Sequence, residues 1–600
     1  MPQPKTKSYM KDFFKNVLAT VVGIVSFLVL AGIIMMMSIV GMVASSEATQ
    51  TVDDNSVFVL KLNGTISEQG EASDPISLLT NNDSQETGLN DILASIKKAK
   101  TNDNIKGIYL ETGELSTDYA TLQEIRNALD DFRKSGKWIM AYGDFYSQGA
   151  YYVASVANKI YINPKGSVDW HGLGTQIMFY KDLMAKFGVK YQVVKVGTFK
   201  SATEAYTEEK MSDANRLQTS LFVNGTWKNI CNAVAKSRGI SIDSLNSYAD
   251  MYLAMEPTES LLKRKMVDGM LYGDQVKGAV KKMLKIGDDE DIAQLSLSDM
   301  LNVKEEEQKG EEIAVYYASG SIVQSSEASL LEDGGIVGRK VCKDLEDLMN
   351  DDDVKAVVVR INSGGGDAYA SEQIWHQMSE LKKKKPVVVS MGGYAASGAY
   401  YMSAPASWIV AQPNTLTGSI GIFAMIPDLS GLVTQKLGVH FDEVKTNRNA
   451  NFGNVMARPF NAEETRLLQA NVNRGYQLFR QRVADGRHLS IDAVERIAQG
   501  RVWLATDALG IKLIDQLGGL DDAVKKAAQL AKLKEYYTTD YPAPSSWTDR
   551  ILGSLSSTDS YLDEKLRLTL GDFYEPFAMM RTIDKRQALQ ARIPFAINMN

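Results

Sequence analysis

Val387-Val388-Val389-Ser390-Met391 runs directly into Gly392-Gly393-Tyr394-Ala395-Ala396-Ser397-Gly398-Ala399-Tyr400-Tyr401. A short apolar run that ends in small residues reads as a buried strand turning into a helix. The ending Gly398-Ala399-Tyr400-Tyr401 has a twin, Gly149-Ala150-Tyr151-Tyr152, offset by 249 residues. The same offset pairs Ile105-Lys106 with Val354-Lys355, Gly143 with Gly392, and Pro164 with Pro413; at 250, Gly188-Val189 meets Gly438-Val439 and Lys195 meets Lys445. Landmarks held in order over such a length predict two related domains in tandem, because the period is too long for a solenoid repeat.

Each copy has one layout. A first strand and turn (Val57 to Leu62 with Asn63-Gly64; Ala314 to Tyr317 with Ser319-Gly320) precedes a second strand at 105–110 or 354–360. A helical stretch follows (Asp118 to Ser135; Ala368 to Lys383), then a strand at Trp138 to Tyr142 or Pro386 to Met391. Alternating strands and helices predict an α/β class with parallel βαβ units. The copies are expected at 50–303 and 313–535, joined by a charged, solvated linker at 304–312 and followed by an extension at 536–600. The run Gly438-Val439-His440-Phe441 reads as strand-like.

At the other end, Val17 to Val43 carries no charge. As a helix it is about 40 Å long, enough to cross a hydrocarbon core of about 30 Å. Lys5, Lys7, Lys11 and Lys15 precede it against Asp12. The expectation is a basic cytoplasmic tail at 1–16, an uncleaved single-pass anchor at 17–43, and a body on the extracytoplasmic side.

The 600 residues suit several domains, and 44% apolar with 23% charged residues rules out wholesale disorder. A net charge of −7 argues against nucleic acid as partner. Two cysteines, Cys231 and Cys342, build no disulfide framework; one bridge forms only if they meet in space, and two buried free thiols are the favoured reading, while four histidines without ligand spacing argue against a metal centre. No metal or organic cofactor is expected.

The copies differ where chemistry needs special residues. Ser397 lies among Gly and Ala, which let a substrate backbone approach; a helix expected to begin here turns its positive end towards an oxyanion. A serine packed under a Gly/Ala helix contact is the alternative. Asn362-Ser363-Gly364-Gly365-Gly366-Asp367 follows a strand, and a glycine run there offers free N–H groups, as an oxyanion hole does. It lacks the remainder of a nucleotide-binding P-loop. Copy one has Thr112-Gly113-Glu114-Leu115 in its place, and Gln148 where copy two has Ser397. As base for the serine, His376, His440 and Lys200 are candidates. Lys200 sits in Val196-Gly197-Thr198-Phe199-Lys200-Ser201-Ala202 with few charges nearby, and a lysine serves as base only if burial lowers its pKa. Spacing alone does not single it out among 66 basic residues.

Asn362 to Asp367, Val387 to Tyr401, Thr417-Gly418-Ser419-Ile420-Gly421-Ile422, Val196 to Ser201 and Gly500-Arg501-Val502-Trp503 with Leu513-Ile514-Asp515 together resemble the signal peptide peptidase A (protease IV) family in its long, duplicated, membrane-anchored form. The resemblance implies tandem Clp/crotonase-like domains and a Ser–Lys dyad, with Ser397 as nucleophile and Lys200 as general base. It further implies oxyanion N–H groups at Gly365 and Gly398, a lysine-orienting role for Ser419, and assembly into a homo-oligomer of four. Gly364 departs from the proline usual there. The implied substrates are apolar peptides such as cleaved signal peptides, at the periplasmic face of the inner membrane. Two other classes share the fold: a catalytically inactive, membrane-tethered scaffold or peptide-binding protein, and an acyl-CoA enzyme, which the extracytoplasmic placement disfavours.

Overall fold

A computed structural model describes residues 13–27, 30, 49–70, 87–304, 309–324, 335–543 and 590–592. In the first half, strands Ser56–Ser67, Ile105–Ser116, Trp138–Tyr146 and Lys159–Val168 pair in that order, all parallel, with Gly269–Met270 beyond them. In the second half, Glu311–Ser319, Val354–Ser363, Val387–Ala396 and Trp408–Ala411 do the same, with Gln516–Leu517 beyond. The duplication read from sequence is therefore a duplication of sheet topology. The strand Tyr536–Tyr541 adds to the outer edge of Glu311–Ser319, so the second sheet reaches past residue 535.

The valine runs are continuous because both faces of each sheet are covered. Val357, Val359, Val387 and Val389 face one core, together with Ile374 and Met378 of the helix Ala368–Lys384. Val358 and Val388 face the other, against Ala523, Val524 and Ala527 of the helix Leu520–Ala531. The first half repeats this arrangement. Leu60, Ile108 and Leu110 meet Leu122, Ile125 and Leu129 of the helix Tyr119–Arg133, and Val57 and Met140 meet Val276 and Val280 of the helix Gly273–Leu284.

A strand pair and a buried charge cluster are among the contacts that join the halves. Lys190–Lys195 pairs antiparallel with Phe423–Asp428, from Lys195 opposite Phe423 to Lys190 opposite Asp428. Arg360, wholly buried on a central strand of the second half, donates to Glu68 at 2.7 Å and Glu124 at 2.8 Å in the first half, and to Ser390 at 2.9 Å. Burial alone lowers the Arg360 pKa, but the carboxylates of Glu124 and Glu68 outweigh it and keep the guanidinium charged.

Gly438 to Phe441 forms no strand; the run is exposed, and Val439 N–H turns back to Val433 O at 3.1 Å. The copy-one equivalent, Gly188-Val189, leads instead into the paired strand Lys190–Lys195. Cys231 and Cys342 are unpaired. The expected anchor lies mostly outside the described residues; 13–27 are helical, and no described helix is long and apolar enough to cross a membrane. Residues 305–308 of the expected linker and 544–589 and 593–600 of the expected extension also lie outside them.

Candidate active site

The strand Val387–Ala396 ends at Ser397, and the helix Gly398–Ser403 begins one residue later. Ser397 is held at φ 59°, a conformation uncommon for a residue with a side chain. Its N–H donates to Gly418 O at 2.8 Å, and its carbonyl accepts from Tyr401 N–H at 2.8 Å. Strain of this kind persists only where surrounding structure enforces it. Thr417 supplies more of that enforcement by donating its hydroxyl to Ala395 O at 2.7 Å.

Lys200 arrives from the other half. The antiparallel strand ending at Lys195 delivers the loop 196–203 against the second half, where Val196 N–H donates to Ile422 O at 3.2 Å and Phe199 N–H to Gln499 O at 2.9 Å. Lys200 Nζ lies 2.7 Å from Ser397 Oγ and 3.0 Å from Ser419 Oγ. All three side chains are 0% exposed. Burial pushes the Lys200 amine well below its ordinary 10.5, so its uncharged form is favoured. Ser419, itself at φ 50°, receives an N–H from Lys200 and donates its hydroxyl to Gly500 O at 3.3 Å. The Phe423 ring centre is 5.9 Å from Nζ.

His376 and His440 are exposed, and the nitrogen beside Ser397 belongs to Lys200. The glycine turn Gly364 to Gly366 follows the strand Val354–Ser363. Gly365, at φ 99°, takes a backbone that only glycine adopts readily, and its N–H donates to Ser363 Oγ at 3.1 Å. Gly398 directly follows the strained serine. In the first half, Gln148 closes the equivalent position. Its amide donates to Tyr119 OH and Gly172 O, each at 3.0 Å, and its oxygen accepts from the N–H groups of His171 and Gly172.

Sequence reasoning missed the support behind Lys200. Gln218 donates to Phe199 O at 3.1 Å and Ser201 Oγ at 2.9 Å, while its oxygen accepts from Val502 N–H at 3.2 Å. One buried amide thus ties the lysine loop to the opposite half. Gly500 is equally placed: a Cβ there lies 2.6 Å from Lys200 Cβ and 2.7 Å from its N, at a backbone φ of 76°. Gly500→Ala is expected to shift Lys200 and lower kcat/KM by about a hundredfold, since a displacement of about 1 Å costs that much. Steady-state peptide hydrolysis by the folded variant checks it, and undiminished activity refutes the close approach.

The family profile for peptidase family S49 matches residues 131–286 and 379–534, one span in each half. "Protease 4" from Salmonella typhi is 35% identical over 565 residues, covering 91% of this chain and 89% of the relative. "Protease 4" from Haemophilus influenzae is 34% identical over 459 residues, 74% of this chain and 73% of the relative. "Serine protease SPPA, chloroplastic" from Arabidopsis thaliana is 28% identical over 525 residues, 86% of this chain and 76% of the relative. With both halves matched and the likeness spanning nearly the full length, the chain belongs to peptidase family S49 and is a serine protease of the signal peptide peptidase A type.

Proposed function

We propose that Ser397 is the nucleophile and Lys200 the general base of an endopeptidase acting on apolar peptides, among them cleaved signal peptides. The observation that carries this is the 2.7 Å approach of two wholly buried groups drawn from different halves. Neutral Lys200 takes the hydroxyl proton as Ser397 Oγ attacks the peptide carbonyl. The oxyanion that forms is received by main-chain N–H groups at Gly365 and Gly398; for Gly365 this requires release of Ser363 Oγ. One such donor is worth about 2.7–4 kcal/mol in the transition state. The protonated lysine then gives its proton to the leaving amine, the C–N bond breaks, and water, activated by the same amine, releases the acyl group. Ser419 keeps Nζ aimed at Ser397 throughout.

The charge-free run Val17 to Val43 and its preceding lysines support a single-pass anchor in the inner membrane, with the catalytic body on the periplasmic side and near membrane-held peptides. The exposed apolar side chains of Leu437, Phe441 and Val444 support a homo-oligomer, with the tetramer as the form to test. The acidic balance supports peptide rather than nucleic acid as ligand.

A fluorophosphonate probe tests the assignment. Labelling is expected at Ser397 alone and is expected to vanish in Lys200→Ala. Labelling at another serine, or none in the assembled protein, overturns it.

A further inference from the structure

Arg501 makes no ion pair among the described residues, and its buried Nε donates no hydrogen bond. Its near neighbours are aromatic faces. The guanidinium carbon lies 3.9 Å from the centre of the Trp503 ring, two residues on, and 5.2 Å from the centre of the Phe199 ring, which belongs to the other half. A planar guanidinium stacks on such faces, and the attraction grows as water is removed. Burial lowers the Arg501 pKa, so the side chain is partly stripped of water. Methionine or leucine would fill the same space without desolvating a charge, so packing alone does not call for arginine here.

Both ends of the residue bear on the reactive pair. The strand Val502–Leu504 runs antiparallel to Leu416–Gly418, with Val502 opposite Gly418. That pairing brings Arg501 beside Ser419, whose N–H donates to Arg501 O at 2.7 Å. The side chain reaches Phe199, the residue before Lys200. Phe199 is gripped at three points from outside its own loop. Its N–H donates to Gln499 O at 2.9 Å, its carbonyl accepts from Gln218 Nε2 at 3.1 Å, and its ring meets the Arg501 cation. Two main-chain bonds leave rotation about the line that joins them. The ring contact lies off that line and removes the remaining freedom.

We propose that Arg501 is a positioning residue: by bridging Phe199 and Trp503 while its carbonyl holds Ser419, it locks the lysine loop of the first half to the second half and aims Lys200 at Ser397. This rests on the reading of Ser397 and Lys200 above. Lys200 works only in the proton transfers, so a looser loop lowers kcat and leaves KM alone. It also lets water reach the amine. The Lys200 pKa then climbs back towards 10.5, and the acidic limb of kcat/KM moves to higher pH.

The test follows hydrolysis of a fluorogenic apolar peptide across pH by the full-length parent, Arg501→Gln, Arg501→Lys, Phe199→Leu, the double variant Arg501→Gln, Phe199→Leu, and Lys200→Ala. Arg501→Gln is expected to lose about tenfold in kcat, the size of one partly desolvated cation–π contact, with KM unchanged and the acidic limb moved to higher pH. Arg501→Lys keeps a cation beside the rings and is expected to lose only about threefold. Phe199→Leu is expected to match Arg501→Gln, and the double variant to be little worse than either, since both changes remove one contact. Phe199→Leu, made in the opposite half, keeps the test decisive should Arg501→Gln fail to fold. A kcat within about twofold of the parent and an unmoved acidic limb in both single variants, with Lys200→Ala inactive, overturn the positioning role and leave the dyad standing. Losses that multiply in the double variant, or a raised KM with kcat intact, overturn it as well. Parental hydrolysis by Lys200→Ala overturns the dyad and the positioning role with it.

Discussion

Lys200→Met is expected to lower kcat/KM by roughly three to six orders of magnitude while raising stability at neutral pH. The first half follows from the loss of the amine beside Ser397 Oγ. The second half follows from burial. The folded-state pKa of Lys200 lies well below 10.5, so between those two values the unfolded chain binds a proton that the folded chain has released. Stability contributed at this position rises with pH across that window and is least below the folded pKa. Methionine fills similar space and does not titrate. The variant's advantage should therefore widen as pH falls from about 10 towards neutrality. Thermal unfolding at both ends of the range, beside peptide hydrolysis, checks both halves. The same titration gives the unmodified enzyme an acidic limb, with kcat/KM falling as Lys200 gains its proton. Near-parental hydrolysis by Lys200→Met defeats the base assignment, and an equal stability change at all pH values defeats neutral burial.

Arg360→Met should destabilise the protein by about 3–5 kcal/mol, because removal of one partner leaves the buried carboxylates of Glu68 and Glu124 uncompensated. Desolvation already pushes the Glu124 carboxyl upward, and Arg360 is the main influence opposing it. The effect reaches further than stability. Both carboxylates lie in the half that supplies Lys200, and the guanidinium lies two residues before Asn362, where the glycine turn starts. The triple variant Arg360→Met, Glu68→Gln, Glu124→Gln is expected to recover most of the loss, since neutral amides carry no buried charge. Denaturant unfolding of parent, single and triple variants measures this. A single variant within about 1 kcal/mol of the parent removes the triad as the clamp between halves.

The parallel strands and their duplication were legible because their signals are local. The central strands of each half carry apolar runs, valine-rich in the second half, and these runs recur at a fixed offset. The helix Tyr119–Arg133 opens where Asp118 caps it, one residue from the start read in sequence. The pairing of Lys190–Lys195 with Phe423–Asp428 was not legible, because nothing local marks two short strands so distant in sequence as partners. The same limit applies to the site. Composition marked Ser397 and the glycine turn, but the placement of Lys200 depends on Ser419 and Gly500, supplied by segments remote from it in sequence, and on Gln218 in the helix Asp213–Arg238. A family likeness, not spacing, drew the lysine out. Gln218 carried no signal, since its role lies in bridging two loops that meet only in the folded protein.

The division of the proposed pair, Ser397 and Lys200, between halves would also order events during synthesis. The ribosome releases the amine-bearing half first, with Gln148 closing the position that its counterpart fills with a hydroxyl. That half has a hydrophobic core of its own. On the Ser397–Lys200 assignment proposed above, cutting power would emerge only once the later half folds onto the earlier one, so the order of translation would itself delay activity.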